Sequence, residues 1–152
     1  MQERTFIGDL SAHIGETVSI SGWVDVRRDQ GKMVFFDFRD QSGKVQGVTL
    51  PGSPAMDTAK EMRVEFVVRV EGIVNKRPEK NVQAGKQNGD IELEIKVIDV
   101  LSNSEVLPFD KDAELNLDTY LDNLPLTLRR PKALATFKVQ AEIVKAYRAF
   151  LD

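Results

Sequence analysis

The run RRDQGKMVFFDFRDQSGKVQ, residues 27–46, gathers the side chains with the greatest chemical reach in the chain. On a period of two, Val34, Phe36 and Phe38 fall on one face, and Met33, Phe35, Asp37 and Arg39 on the other. One face can be core, which leaves the Phe35 ring among charges on the wet side. A ring there can act as a platform on which an unstacked base lies, worth roughly 1–3 kcal/mol per base. The alternative is that Phe35 packs under a neighbouring loop and Phe36 is the exposed ring. Asp37 and Arg39 can pair with each other across the pleat or meet base edges and backbone. Gln46 offers an amide donor and acceptor to a base edge, and Glu92 can accept from an exocyclic amine, as carboxylates do with cytosine. Taken alone, each of these polar residues also reads as a solvated strand face.

The elements that must position these groups can be traced along the chain. Segment 17–28 alternates Val18, Ile20, Val24 and Val26 against polar residues, with Gly22 as a bend or bulge that turns Trp23 inward, unless Trp23 packs beneath the preceding IGDLSAHIG segment. A turn at Gln30 and Gly31 leads to a second strand over 32–40, and DQSG joins it to a third over 44–50. Met56, Ala59 and Met62 recur at helical spacing after Ser53 and Pro54, which predicts a short helix. A fourth strand over 64–77 places Val64, Phe66, Val68, Val70 and Val74 inward. A fifth over 90–102 does the same with Ile91, Leu93, Ile95 and Val97, leaving Glu92, Glu94 and Lys96 outward. The loop between them, PEKNVQAGKQNG, is polar and expected to be mobile.

Three strands, a short helix and two more strands is the element order of an all-β, five-stranded OB-fold barrel. In that fold the face of strands two and three, with the loops between strands one and two and between four and five, binds oligonucleotides. Basic residues gather near both loops: Arg27, Arg28, Lys32, Arg39 and Lys44 in one run, Lys76, Arg77 and Lys80 in the other. The fold is expected to make the two runs neighbours. After residue 107 the character changes to a proline-containing, acidic linker without clear periodicity. Beyond Pro131, Leu134, Phe137, Ala141, Val144, Tyr147 and Leu151 step by threes and fours, predicting an amphipathic helix.

Composition narrows the functions available. The net charge of −3 argues against a protein that coats nucleic acid indiscriminately, so an RNA partner must meet a local patch. Without cysteine there is no disulfide framework or thiolate metal site, and the single histidine, His13, reads as structural. No nucleotide-binding glycine loop, nucleophile elbow or metalloprotease helix occurs, so no catalytic residue is assigned. Glu92 and Glu94 share a strand face that is too solvated to raise a carboxylate pKa. The N-terminus has no apolar signal segment, and no stretch approaches the roughly 18 apolar residues of a membrane span. A cytoplasmic protein without a membrane partner is expected.

The stretch SGWVDVRRDQGKMVFFDFRDQSGKVQGV resembles the signature at the start of aspartyl-tRNA synthetases, and EFVVRVEGIVNKRPEKN, GDIELEI and SEVLPFD follow in the family's order. LRRP and the helix after it are similar to the approach to the class II catalytic domain. The resemblance implies an anticodon-binding domain over 1–107, a linker or hinge over 108–131, and a helix over 132–152 that leads into a catalytic domain beyond Asp152. It implies that Phe35 stacks on the central base of a GUC-type anticodon, that Gln46 contacts the same base, and that Glu92 reads the third. Arg28 would lie near the anticodon, facing phosphates in a salt-dependent way, with Arg77 and Asn81 on the side of the fourth and fifth strands.

For the full-length enzyme it implies a homodimer that ligates aspartate to tRNA with ATP and Mg²⁺, whereas this chain is expected to need no cofactor and to charge nothing. Two departures stand out. YLDNLPLTLRRP replaces the shorter bacterial YLDLRRP, and Gln30 occupies a position where leucine or histidine is usual and is linked to charging of asparagine tRNA as well. The rival readings are an asparaginyl or lysyl relative, a free-standing single-strand-binding OB module, and an interaction domain that dimerises through its C-terminal helix.

Overall fold

The computed structural model describes residues 3–110 and 113–151. Two compact units make up the chain, Met1–Val106 and Leu107–Asp152. In the first, strands β1 (Thr17–Gln30), β2 (Met33–Arg39), β3 (Lys44–Thr49), β4 (Val67–Lys76) and β5 (Ile91–Ser102) close a barrel in the order β1-β2-β3-β5-β4. Helix α1 (Met56–Glu61) lies between β3 and β4. All neighbours are antiparallel except β3 and β5, a parallel seam of only two registered pairs, Gly47 with Leu93 and Val48 with Glu94.

The alternating apolar residues fill the barrel. Phe36 and Phe38 are fully buried, their ring centroids 5.5 Å apart, together with Ile20, Val24, Val70, Ile91 and Leu93. Full burial of one such side chain is worth about 1.5–3 kcal/mol. A short 3-10 helix at Ile7–His13 inserts Ile7 and Leu10 at one end. Its entry is fixed by Asp40, whose carboxylate accepts from the Ile7 amide at 3.0 Å, while the Ser42 hydroxyl accepts from the Gly8 amide at 2.8 Å. At the other end α1 contributes Ala59, followed by Met62, and Arg27 Nη2 donates to the Lys60 carbonyl at 3.2 Å.

The registers slip at three places, Asp25, Lys96 and Leu101, and the first two shift the expected phase. The first falls at Asp25, not Gly22: Val24 pairs with Phe38 and Val26 with Asp37, so Asp25 is the extra residue and turns inward at 4% exposure. Gly22 stays in register, and its missing side chain matters for another reason. A Cβ there would stand 2.3 Å from the Arg39 carbonyl oxygen. Trp23 is consequently not core; it is 38% exposed, with the Arg39 guanidinium 5.4 Å above its ring centroid. The second bulge skips Lys96 between Ile95 and Val97, so Ile98 points inward and Val97, expected inside, is 43% exposed.

Residues 108–131, read as a linker or hinge, lie in the second unit, and they are more structured than their lack of clear periodicity suggested. They hold two short helices, α2 (Leu117–Asp122) and α3 (Leu124–Thr127). The Asn116 side chain caps α2 by accepting from the Thr119 amide at 2.8 Å, and Thr127 Oγ1 donates to the Tyr120 carbonyl at 3.0 Å. Arg130 donates to the Ala113 carbonyl at 2.8 Å with its guanidinium over the Phe109 ring. Helix α4 (Pro131–Leu151) follows and buries none of its described residues.

Candidate nucleic-acid interface

The antiparallel registers bring the sequence-selected residues onto one outer face. Arg28 stands opposite Phe35, Phe35 opposite Val48, and Asp37 opposite Gln46. Val48 continues the face to Glu94 across the parallel seam, with Glu92 outward two residues before it and opposite Asn75 on β4. Phe35 is half-buried and makes no ring contact among the described residues, while Phe36 lies inside with Phe38. That decides which of the two rings faces outward. Val48 is buried without belonging to the barrel core, so the platform around Phe35 has an apolar floor.

Polar groups on this face are paired in a pattern that differs from the expected one. Asp37 does not pair with Arg39; it takes Arg28, with Nη2 donating to Oδ1 at 2.8 Å and Nη1 to Oδ2 at 3.4 Å. Arg28 Nη2 also lies 3.5 Å from Gln46 Oε1. Arg39 is turned away into its own network, its Nε on Asp25 at 3.0 Å and Nη2 on both Glu65 oxygens at 2.6 Å. Glu65 holds a left-handed backbone, φ 69°, and its amide donates to the Val24 carbonyl at 2.8 Å.

On β5, Glu94 accepts from Asn75 at 3.0 Å and from Lys96. The Lys96 hydrogen bond holds its carboxyl below the ordinary 4.5 against the opposing effect of burial. Glu92, by contrast, makes no hydrogen bond or ion pair among the described residues.

The loop of residues 77–90 is pinned where mobility was expected. Arg77, which the resemblance places with the anticodon-binding residues on the side of the fourth and fifth strands, is only 8% exposed: Nε donates to the Ile91 carbonyl at 2.8 Å and Nη1 to the Asn81 carbonyl at 3.5 Å. It is a clamp on the loop. Asn81 keeps an exposed side chain in the 3-10 turn Glu79–Asn81. Asn88 Nδ2 donates to the Ile7 and Lys44 carbonyls at 2.8 and 3.0 Å, and Gln87 Nε2 to the Ser42 carbonyl at 3.0 Å.

These bonds also place the basic runs. The 77–90 loop sits at the Lys44 end of β3, whereas the β1–β2 turn, with exposed Gln30 and Lys32, sits at the Thr49 end, since Val34 pairs with Thr49. Arg27, Arg28 and Lys32 therefore stand toward the Thr49 end, whereas Arg39 and Lys44 of the same run stand at the end where the 77–90 loop sits, so only part of the first run neighbours the second. Several of their cations are also committed: Arg27 to Asp29, Arg39 to Asp25 and Glu65, Lys44 to Asp25 at 2.7 Å. Among the described residues, Lys32, Lys76 and Lys80 of these runs make no ion pair. No helix of the described residues is long and apolar enough to cross a membrane.

A family model described as an OB-fold nucleic acid binding domain matches residues 18–101. The aspartate–tRNA ligase of Streptococcus pyogenes serotype M5 (strain Manfredo) is 39% identical over 145 residues, covering 92% of this chain and 25% of that protein. This chain thus spans about a quarter of the length of the curated relatives it matches. Among solved structures, the aspartyl tRNA synthetase from Entamoeba histolytica superposes with a TM-score of 0.86 at 25% identity, covering 99% of this chain and 37% of that one. The Pyrococcus horikoshii asparaginyl-tRNA synthetase complexed with asparaginyl-adenylate gives 0.80 at 28% identity, covering 99% and 34%.

Proposed function

This chain belongs to the family of OB-fold nucleic acid binding domains, and from that premise we propose that its barrel reads the anticodon loop of a tRNA, with aspartate tRNA as the cognate. One observation carries the reading. Phe35 stands without a ring partner on an open strand face, and Arg28, Gln46 and Glu92 lie on the same face within a few ladder steps. Phe35 stacks on the central anticodon base and Gln46 contacts that base. Glu92 takes the amino edge of the third; a carboxylate without a counter-ion repels phosphates, so its use on an RNA-binding face is against a donor edge.

Lys32, Lys76 and Lys80 meet the backbone at the two ends of the face, while Arg77 holds the loop that carries Asn81. Asparagine tRNA is a second candidate ligand, supported by the likeness to an asparaginyl-tRNA synthetase; Gln30, which is neither leucine nor histidine, favours neither tRNA.

The longer protein to which these residues correspond would ligate aspartate to tRNA using ATP and Mg²⁺, as a cytoplasmic homodimer. No residue of this chain is assigned to ATP or to the metal, and the chain alone is expected to charge no tRNA. The test is a titration against an aspartate-tRNA anticodon stem-loop and against loops with the central or third anticodon base changed. A single change should lower affinity about tenfold or more, and Phe35→Ala should cost about 1–3 kcal/mol of binding. Equal binding of every loop would leave a sequence-tolerant single-strand module. An unaffected Phe35→Ala variant would overturn RNA reading by this face.

A further inference from the structure

Asp37 is not needed for the stacking platform, and with both carboxylate oxygens engaged by Arg28 it is not offered to a base. Its carboxylate grips Arg28 through two nitrogens, at 2.8 and 3.4 Å, and the Nη2 so held lies 3.5 Å from Gln46 Oε1. A guanidinium only donates. The Gln46 amide has two orientations related by a half-turn, one presenting oxygen and the other NH₂ to Arg28, and only the first is compatible with a donor. With its oxygen committed to Arg28, the amide leaves its N–H groups for the open face.

We propose that Asp37 is a positioning residue which, through Arg28, fixes the Gln46 amide with its NH₂ outward, so that the face selects a base presenting a carbonyl acceptor over one presenting an amino donor. This rests on the anticodon reading above. Uracil and cytosine differ in this way at one edge, O4 in the first and N4–H₂ in the second. Without Asp37, Arg28 is released toward solvent or phosphate. Gln46 can then turn either way and meet a carbonyl or an amino group equally well, since its amide carries both a donor and an acceptor.

The test compares the unaltered 152-residue chain with Asp37→Asn and Asp37→Glu, using two stem-loops that differ only by U or C at the central anticodon position. The unaltered chain should prefer U by about ten- to a hundredfold. Asp37→Asn should bring that ratio toward one, largely by a relative gain on the C loop, and Asp37→Glu should restore part of it. If Asp37→Asn weakens both loops by one factor and keeps the ratio, Asp37 is merely structural and the proposal fails. Equal binding of both loops by the unaltered chain overturns it too, leaving stacking on Phe35 intact. Binding of neither loop sinks the anticodon reading itself and this inference with it. Should Asp37→Asn not fold, Arg28→Met carries the same expectation for the ratio, because it removes the donors that orient Gln46.

Discussion

Asp40 shows how a single carboxylate can organise backbone at one end of the barrel. Burial works to raise its pKa, but the Ser42 hydroxyl and the amides of Ile7, Ser42 and Gly43 all donate to it, and together they hold it below the ordinary 3.8. A carboxyl depressed in the folded state contributes stability that is present above its unfolded pKa and lost as pH falls through the folded value. Asp40→Asn should therefore be less stable than the unaltered protein at neutral pH by about 1.5–3 kcal/mol, the range for hydrogen bonds to a charged group. The gap should narrow below pH ~4, the region where an unfolded aspartate titrates. Denaturant melts at neutral and acid pH check this, and a gap that stays constant would reassign the effect to shape.

At the scale of elements, the loop of residues 77–90 is closed on itself by backbone hydrogen bonds such as Gln83 to Gly89 and tied to the rest of the barrel by a few side chains. Arg77 is its anchor at one side and Asn88 at the other. Arg77→Ala should raise amide hydrogen exchange through Pro78–Asp90 and weaken RNA binding several-fold, while exchange in β1 and β2 stays slow. An unchanged loop would show that Gln87 and Asn88 suffice.

This loop also marks the limit of what the sequence discloses. Strand order, the outward placement of Phe35, Gln46 and Glu92, and α4 were legible, because alternation and helical periodicity are carried by many residues at once. The Asp25 and Lys96 bulges were not, because one extra residue reverses the phase of everything after it without leaving a compositional mark. Arg77 and Arg39 look like surface cations in sequence. Only tertiary placement of Ile91, Asp25 and Glu65 reveals them as internal ties. Helices α2 and α3 were missed because six and four residues are too few to show a period; the Asn116 cap and the proline in the first turn of α3 were the available signals.

For the molecule as a whole, a net charge of −3 coexists with a proposed nucleic-acid-binding face at whose two ends Lys32, Lys76 and Lys80 make no ion pair among the described residues. Three phosphate contacts, by Lys32, Lys76 and Lys80, predict a slope of log K against log salt of about −2, at roughly 0.7 per contact with single strands. Lys32→Gln should make that slope shallower by about 0.7 without altering preference among loops. A slope near zero would remove these lysines from the interface.

The short β3–β5 seam has a kinetic meaning. The hairpins β1–β2, β2–β3 and β4–β5 join segments close in sequence, but closing the barrel brings Gly47 to Leu93 for the sake of two registered pairs. Loop-closure entropy is spent there for little return, so the seam should form after the rate-limiting barrier. Gly47 lets this probe be placed: a Cβ on it would sit 2.6 Å from Phe38 Cε2, an overpacking worth about 1–3 kcal/mol. In a chevron experiment, Gly47→Ala should raise the unfolding limb and leave the refolding limb nearly where it was. The barrel would then unzip along the line where the proposed RNA site lies, and an RNA bound across β2, β3 and β5 would act as a brake on unfolding.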